Sequence, residues 1–132
     1  MPTTVATFYQ LLDDPPAPLV AGAPVTLTQS VDVTPADGEG ALLTWMAQRT
    51  SAAAATYTVT LNGNLLNPNP YVVNIVGVAG APQTSELYAM QEAFPQSYVN
   101  QGNNVVTFTE TGGAAGTLVI SDVMLWVRVR VA

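Results

Sequence analysis

The densest set of groups able to hold a metal lies around the Pro35-Ala-Asp37-Gly38-Glu39-Gly40 turn, where Asp32, Asp37 and Glu39 fall close together. Hard carboxylate oxygens at such spacing suit Ca²⁺. The spacing is not that of an EF-hand loop, and turns favour acids for their own reasons. Ordinary turn acids are therefore the first reading, and no cofactor is expected. Glu86, Glu92 and Glu110 fall in or beside stretches that read as strands, with no loop in common. Two carboxylates suffice for glycoside hydrolysis, but nothing in the sequence brings two of these together. The chain has no His and no Cys, which removes the commonest general base, the commonest metal ligand and all thiolate chemistry. A Gly-x-Ser-x-Gly elbow and a phosphate loop are absent as well. The expectation is a non-catalytic protein.

The aromatic residues offer a different chemistry. Trp45, Tyr71 and Trp126, with Tyr88 and Tyr98, carry flat apolar faces that can stack on a sugar ring while their polar tips hydrogen-bond. Trp126 shares its parity with Met124, Arg128 and Arg130, opposite the valines at 127, 129 and 131. Such a stripe could serve as a glycan platform, a subunit contact or the second half of a core, and core or contact is the favoured reading.

Strands must position these side chains. Val106 and Phe108 alternate with Thr107 and Thr109, the period-two signature of a half-buried strand. Gly112, Gly113 and Gly116 then break the pattern. Leu118 and Ile120 face one way, but from Val123 onward the apolar set moves to odd numbers: Val123, Leu125, Val127, Val129 and Val131. A one-residue phase shift turns every side chain over, so a bulge or break is expected within about two residues of Asp122. Upstream, Val25 to Val33, Leu42 to Ala47, Tyr57 to Leu61 and Tyr71 to Val78 read as strands. Asn62-Gly63 supplies the strongest short hairpin-turn signal available. The stretch from Glu86 to Phe94 fits either helix or strand and is taken as strand, because turn signals recur at the intervals of an all-β sandwich. Four alanines after Arg49-Thr-Ser read as a flexible connection.

The order Pro95-x6-Gly102-x-Asn104-x-Val106-x-Phe108, followed after a glycine loop by Leu118-Val-Ile-Ser-Asp-Val-Met-Leu, resembles the last strands of galactose-binding-domain-like jelly rolls. Those modules accompany glycoside hydrolases and polysaccharide lyases and also occur in phage tail and fibre proteins. The resemblance covers about residues 57–131 and implies an all-β, antiparallel jelly-roll β-sandwich of about eight strands. Several such modules carry a structural calcium, which adds to the interest of Asp32, Asp37 and Glu39. No binding residue carries over, since no loop motif matches.

At 132 residues the chain is expected to hold one sandwich domain over residues 25–132, preceded by a strand and proline-rich arm over residues 1–24. Charged residues are only 9% of the chain, against about 25% in ordinary domains. There is no Lys, the only cations are Arg49, Arg128 and Arg130, and the net charge is −6. Nucleic-acid partners are excluded for want of a basic stripe. No apolar run is long enough for a membrane span. Met1-Pro2-Thr3-Thr4 does not read as a signal peptide, so synthesis in a cytoplasm is expected.

Low charge and 48% hydrophobic residues describe a surface that should be covered by a partner. The first function class is accordingly a structural protein that works by assembling with other subunits, such as a virion decoration or fibre component or a surface-layer subunit. Val5, Phe8, Tyr9, Leu11 and Leu12 are the candidate clasp. Its place of action would be a virion or an extracellular surface assembly. The second class is a carbohydrate-binding module that recognises a glycan through surface aromatics.

Overall fold

The computed structural model describes residues 3–12, 17–19, 23–31, 35, 40–49, 55–73, 77–78, 81–82, 87–111 and 118–131. Twelve strands run in order: β1 (Thr3–Leu12), β2 (Ala17–Leu19), β3 (Val25–Val31), β4 (Gly40–Arg49), β5 (Ala55–Leu61), β6 (Asn64–Leu65), β7 (Tyr71–Val73), β8 (Gly77–Val78), β9 (Ala81–Pro82), β10 (Leu87–Pro95), β11 (Gly102–Glu110) and β12 (Leu118–Val131). One sheet has the order β1-β12-β4-β10, with β2 also on β12, and the other has the order β3-β11-β5-β6, with β7 also on β5. The pairs β1–β12, β12–β4 and β4–β10 are antiparallel, as are β3–β11 and β11–β5. The result is an antiparallel β-sandwich. The count exceeds the expected eight because short pieces such as β6, β8 and β9 surround the turns. No helix among the described residues is long and apolar enough to cross a membrane.

Alternation builds the core. Ala41, Leu43, Trp45 and Ala47 of β4 are buried, as are Tyr57, Val59 and Leu61 of β5, and Val106 and Phe108 of β11. The stretch left between helix and strand is β10, and its inward row ends in buried Phe94.

β12 carries the larger sheet. Leu118 and Ile120 are buried, and so are Val123, Leu125, Val127 and Val129. Ser121 opposes Met46 and Met124 opposes Thr44, so two residues of β12 face Trp45 alone. This is the expected bulge, and Asp122 at its centre has φ +50°. Regular alternation from Ile120 would aim Asp122 into the core. The extra residue leaves it exposed instead and restores Val123 to the inside.

The opening residues belong to the sandwich. β1 pairs with β12 from Thr3↔Val131 to Leu12↔Val123, and β2 pairs with Leu118–Ile120. Tyr9, Leu11 and Leu12 pack against the core. The opening residues thus supply two strands on one side of β12. Of the five apolar residues read as a clasp, Tyr9, Leu11 and Leu12 serve this chain's own core, while Val5 and Phe8 stay exposed.

The resemblance motif has a structural cause. Asn104 is fully buried at the start of β11. Its Oδ1 accepts from the Asn100 N–H at 2.7 Å and from Asn62 Nδ2 at 2.9 Å. Its Nδ2 donates to the carbonyls of Asn100 at 2.9 Å and Gly102 at 3.0 Å. Asn62, at φ +53° beside Gly63 at +81°, forms the turn read from Asn-Gly, and its Oδ1 accepts from the Val105 N–H at 2.9 Å. Asn62 Nδ2 also donates to the Tyr98 carbonyl at 2.8 Å, so the Asn62 and Asn104 side chains together lock the hairpin turn, the 3-10 turn at Gln96–Tyr98 and β11.

The positive φ at Asp122 gives a direct test. Asp122→Asn and Asp122→Gly should fold with near-native stability, since both residues tolerate the left-handed region. Asp122→Val should lose about 1–2 kcal/mol in urea unfolding, the cost of that region for an ordinary side chain. Equal stability of the Val and Gly variants would show that the bulge is not held in this conformation.

Candidate functional site

Trp45 is 1% exposed. Its Nε1 donates to the Tyr57 hydroxyl at 2.9 Å, and its ring stands edge-on to Tyr71 at 5.3 Å and to Phe108 at 5.7 Å. Trp45 is therefore core and not a sugar platform. The run Ala41 to Ala47 is apolar at nearly every position, so its inward face could not be read from alternation. Burial pushes the Tyr57 phenol up to about 12, against a smaller opposing effect of the Trp45 hydrogen bond.

Tyr71 is half-buried over the same cluster, 5.3 Å from the Tyr57 ring. Its hydroxyl donates to Glu92 Oε1 at 2.6 Å, and Asn67 Nδ2 donates to the same oxygen at 3.0 Å. Its phenol is pushed well above the ordinary range, first by burial, then by its bond to Glu92 and that carboxylate's charge, and last by Tyr57. Glu92 thus fastens the turn before β7 to strand β10. Tyr71 is a packing residue in this arrangement, and the structure does not bring it near Trp126.

Trp126 lies elsewhere. Even-numbered residues of β4, even-numbered residues of β12 from Asp122 onward, odd-numbered residues of β10, and Ala6, Phe8 and Gln10 of β1 form the outer face of the larger sheet. On it, Trp126 is 37% and Phe8 52% exposed. Their rings lie 5.0 Å apart at 37°, and Trp126 Nε1 donates to Thr44 Oγ1 at 2.9 Å. Trp126 is neither core nor free to rotate, because that hydrogen bond and the Phe8 ring fix its plane.

Two recesses flank this pair. One, of about 410 Å³, is lined by Thr44, Met46, Ala89, Gln91, Asp122 and Met124, among others. The second, of about 310 Å³, is lined by Ala6, Leu42, Ala93, Trp126 and Arg128, with backbone of β4 and β12. The face is an open trough with apolar methionine and tryptophan surface, a hydroxyl, an amide and, in the first recess, one carboxylate. Sequence parity pointed to Met124, Trp126 and Arg128. It missed Asp122, Thr44 and Gln91, because the strands that supply them become neighbours only through long-range pairing.

The other candidates do not form a site among the described residues. Asp32, Asp37, Glu39 and Glu86 lie outside the described residues, which contain no group of three or more His, Cys, Asp or Glu able to hold a metal ion. Glu110 is buried at the end of β11 and its oxygens have no hydrogen-bond partner. Glu92 is engaged from both sides as described. Asp122 is the only acid among the described residues lining the first recess, so no carboxylate pair faces a common ligand there.

No protein-family model and no curated protein matches the sequence. Solved structures do match in three dimensions. A beta-porphyranase of glycoside hydrolase family 86 from the human gut bacterium Bacteroides plebeius aligns over 100% of this chain and 22% of its own length, at 16% identity and a TM-score of 0.65. Dimeric latent PorU from Porphyromonas gingivalis aligns over 97% of this chain and 13% of its own, at 10% identity and a TM-score of 0.61. The CBM36-1 domain of a multidomain xylanase from the hindgut metagenome of Trinervitermes trinervoides aligns over 93% of this chain and 96% of its own, at 12% identity and a TM-score of 0.51. The fold is a galactose-binding-like jelly-roll sandwich. The chain spans about a fifth of the porphyranase but nearly the whole of the CBM36-1 domain.

Two outcomes separate the core aromatics from the surface ones. Trp45→Ala should cost about 3–5 kcal/mol of stability, as large core truncations do. Tyr57 is protonated in the fold up to about pH 12, whereas an unfolded tyrosine ionises near 10. The unfolded state therefore sheds this proton first as pH rises. Tyr57 should leave stability unchanged well below pH 10 and lower it by up to ~1.4 kcal/mol per pH unit between about 10 and 12, and Tyr71, raised likewise, adds to the loss. Melting temperatures measured from pH 8 to 12 check this, and a profile flat to pH 12 would contradict it.

Proposed function

We propose that the chain is a non-catalytic carbohydrate-binding module, and that it holds its glycan on the outer face of the larger sheet. The observation that carries this reading is the immobilised, exposed Trp126, set beside a recess that mixes apolar surface with Thr44, Gln91 and Asp122. A pyranose has an apolar C–H face and a rim of hydroxyls. A fixed aromatic plane takes the first, and a hydroxyl, an amide and a carboxylate pair with the second. Strand rise of about 3.3 Å per residue makes the row from Asp122 to Arg128 roughly 20 Å long, which suits a chain of several sugars better than one.

The architecture shared with the CBM36-1 domain supports the same reading, since that domain is matched over nearly its whole length. The virion and surface-layer readings find no such support in the comparisons. Which sugar is bound depends on the row of side chains rather than on the fold, because one fold hosts many functions.

Binding to a glycan array, followed by calorimetry on the best oligosaccharide, tests the proposal. Trp126→Ala should weaken binding at least tenfold, about 1.4 kcal/mol, with the circular-dichroism spectrum unchanged. Asp122→Asn keeps the bulge geometry and should weaken binding by removing an acceptor. An array without hits, or full binding by Trp126→Ala, would refute the assignment.

A further inference from the structure

We propose that the chain forms a twofold dimer in which β1 of each copy pairs antiparallel with β1 of the other, each Phe8 closing over the other copy's Ala6. β1 is an edge strand whose described pairing is with β12 alone. Sheet edges present unpaired N–H and C=O groups, and natural proteins protect them with charge, lysine above all, with proline or with shortness. β1 has none of these. It is ten residues long, Thr-Thr-Val-Ala-Thr-Phe-Tyr-Gln-Leu-Leu, without a charge or a proline. The opposite edge, β10, carries Glu92 and ends in Pro95. The edge of the second sheet, β3, exposes only the polar Thr26, Thr28 and Ser30. Val5 at 39% and Phe8 at 52% exposure make β1 the apolar edge as well.

The occupant follows from parity. Residues directly opposed in an antiparallel pair point to the same face, so a twofold axis through the sheet must join residues whose numbers sum to an even value. β1 is regular as far as Gln10, where its register against β12 shifts. Two self-pairings use this regular part equally, one centred on Ala6 and one on Thr7. The first sets Phe8 against Thr4 and Ala6 against itself, and the second is the one that seats Phe8 on Ala6. The second also sets Thr7 against Thr7 and Val5 against Tyr9. The largest exposed side chain then meets the smallest. Ala6 forms the β1 end of the recess of about 310 Å³ that continues past Trp126 and Leu42. Each copy thus offers one knob and one hollow, and the symmetry of an isologous contact satisfies both at once. A second copy fits because the strand is complementary to itself in this register, Phe8 meeting Ala6 on both sides of the axis. β1 carries no charged residue, so the joint itself brings no like charges together. The two outer faces become one continuous sheet, and the partner's Phe8 borders each Trp126 row. The dimer does not depend on the glycan reading, and its test uses no ligand.

Sedimentation equilibrium of the full chain over a concentration series should show twice the 13.8 kDa chain mass. Phe8→Lys and Ala6→Lys, which place charge on the joint, should give folded monomers. The chain has no cysteine, so Thr7→Cys carries a single thiol that meets its own mate across the axis and should form a disulfide-linked dimer under mild oxidation, whereas Thr26→Cys on β3 should not. A wild-type chain that stays monomeric at every concentration would overturn the proposal. So would a dimer that persists in both lysine variants, or one that Thr7→Cys fails to link. The cross-link decides the matter even where a lysine variant does not fold.

Discussion

Between Ser121 and Met124 the last strand takes one residue more than its neighbour β4, and the larger sheet is arranged around that difference. Before it, even-numbered side chains point inward and pack against the second sheet. After it, odd-numbered ones do. Without the extra residue, the valine row from 123 to 129 would face solvent, and Asp122, Trp126 and Arg128 would face the core. An uncompensated carboxylate in an apolar interior costs several kcal/mol, so the parity change is strongly specified. Asp122 meets the conformational demand of the bulge because aspartate visits the left-handed region more readily than other non-glycine residues.

The bulge also links architecture to surface chemistry. β12 receives β1 and β2 on one side and β4 on the other, so its outward row lies in the middle of the face rather than at a margin. Trp126 is therefore held by neighbours on both sides, Phe8 from β1 and Thr44 from β4. A ring fixed in this way loses little side-chain freedom when a ligand stacks on it. The inner aromatics do the opposite work. Trp45, Tyr57, Tyr71 and Phe108 form one packed group between the sheets, and its polar tips are satisfied internally by Trp45 Nε1 on the Tyr57 hydroxyl and by Tyr71 on Glu92.

Sequence patterns revealed the features that depend on neighbouring positions. The Asn62-Gly63 turn, the alternation of β5 and β11 and the phase shift at Asp122 are each written within a few residues, and each is present. The β-sandwich class follows from them. What could not be read depends on partners distant in the chain. Trp45 and Trp126 are the same residue type on neighbouring strands, and only the register between β4 and β12 sends one inward and the other out. Thr44 and Gln91 come together on the outer face through β4–β10 pairing, and no local signal marks them. No local signal marks the pairing of the apolar opening, because its sheet partner, β12, lies at the far end of the sequence. The carboxylates at 32, 37 and 39 lie outside the described residues.

The central claim is that the outer face of the larger sheet, rather than the loops at the ends of the sandwich, is where a glycan binds. Chemical-shift mapping on isotope-labelled protein titrated with an oligosaccharide that it retains tests this most directly. The account predicts that the Trp126 indole N–H and the amides of Thr44, Gln91 and Met124 shift together and saturate at one affinity, while the Trp45 indole in the core stays unmoved. Shifts confined to the Asn67–Pro70 turn or to residues 32–39, with the Trp126 indole unmoved, would contradict it.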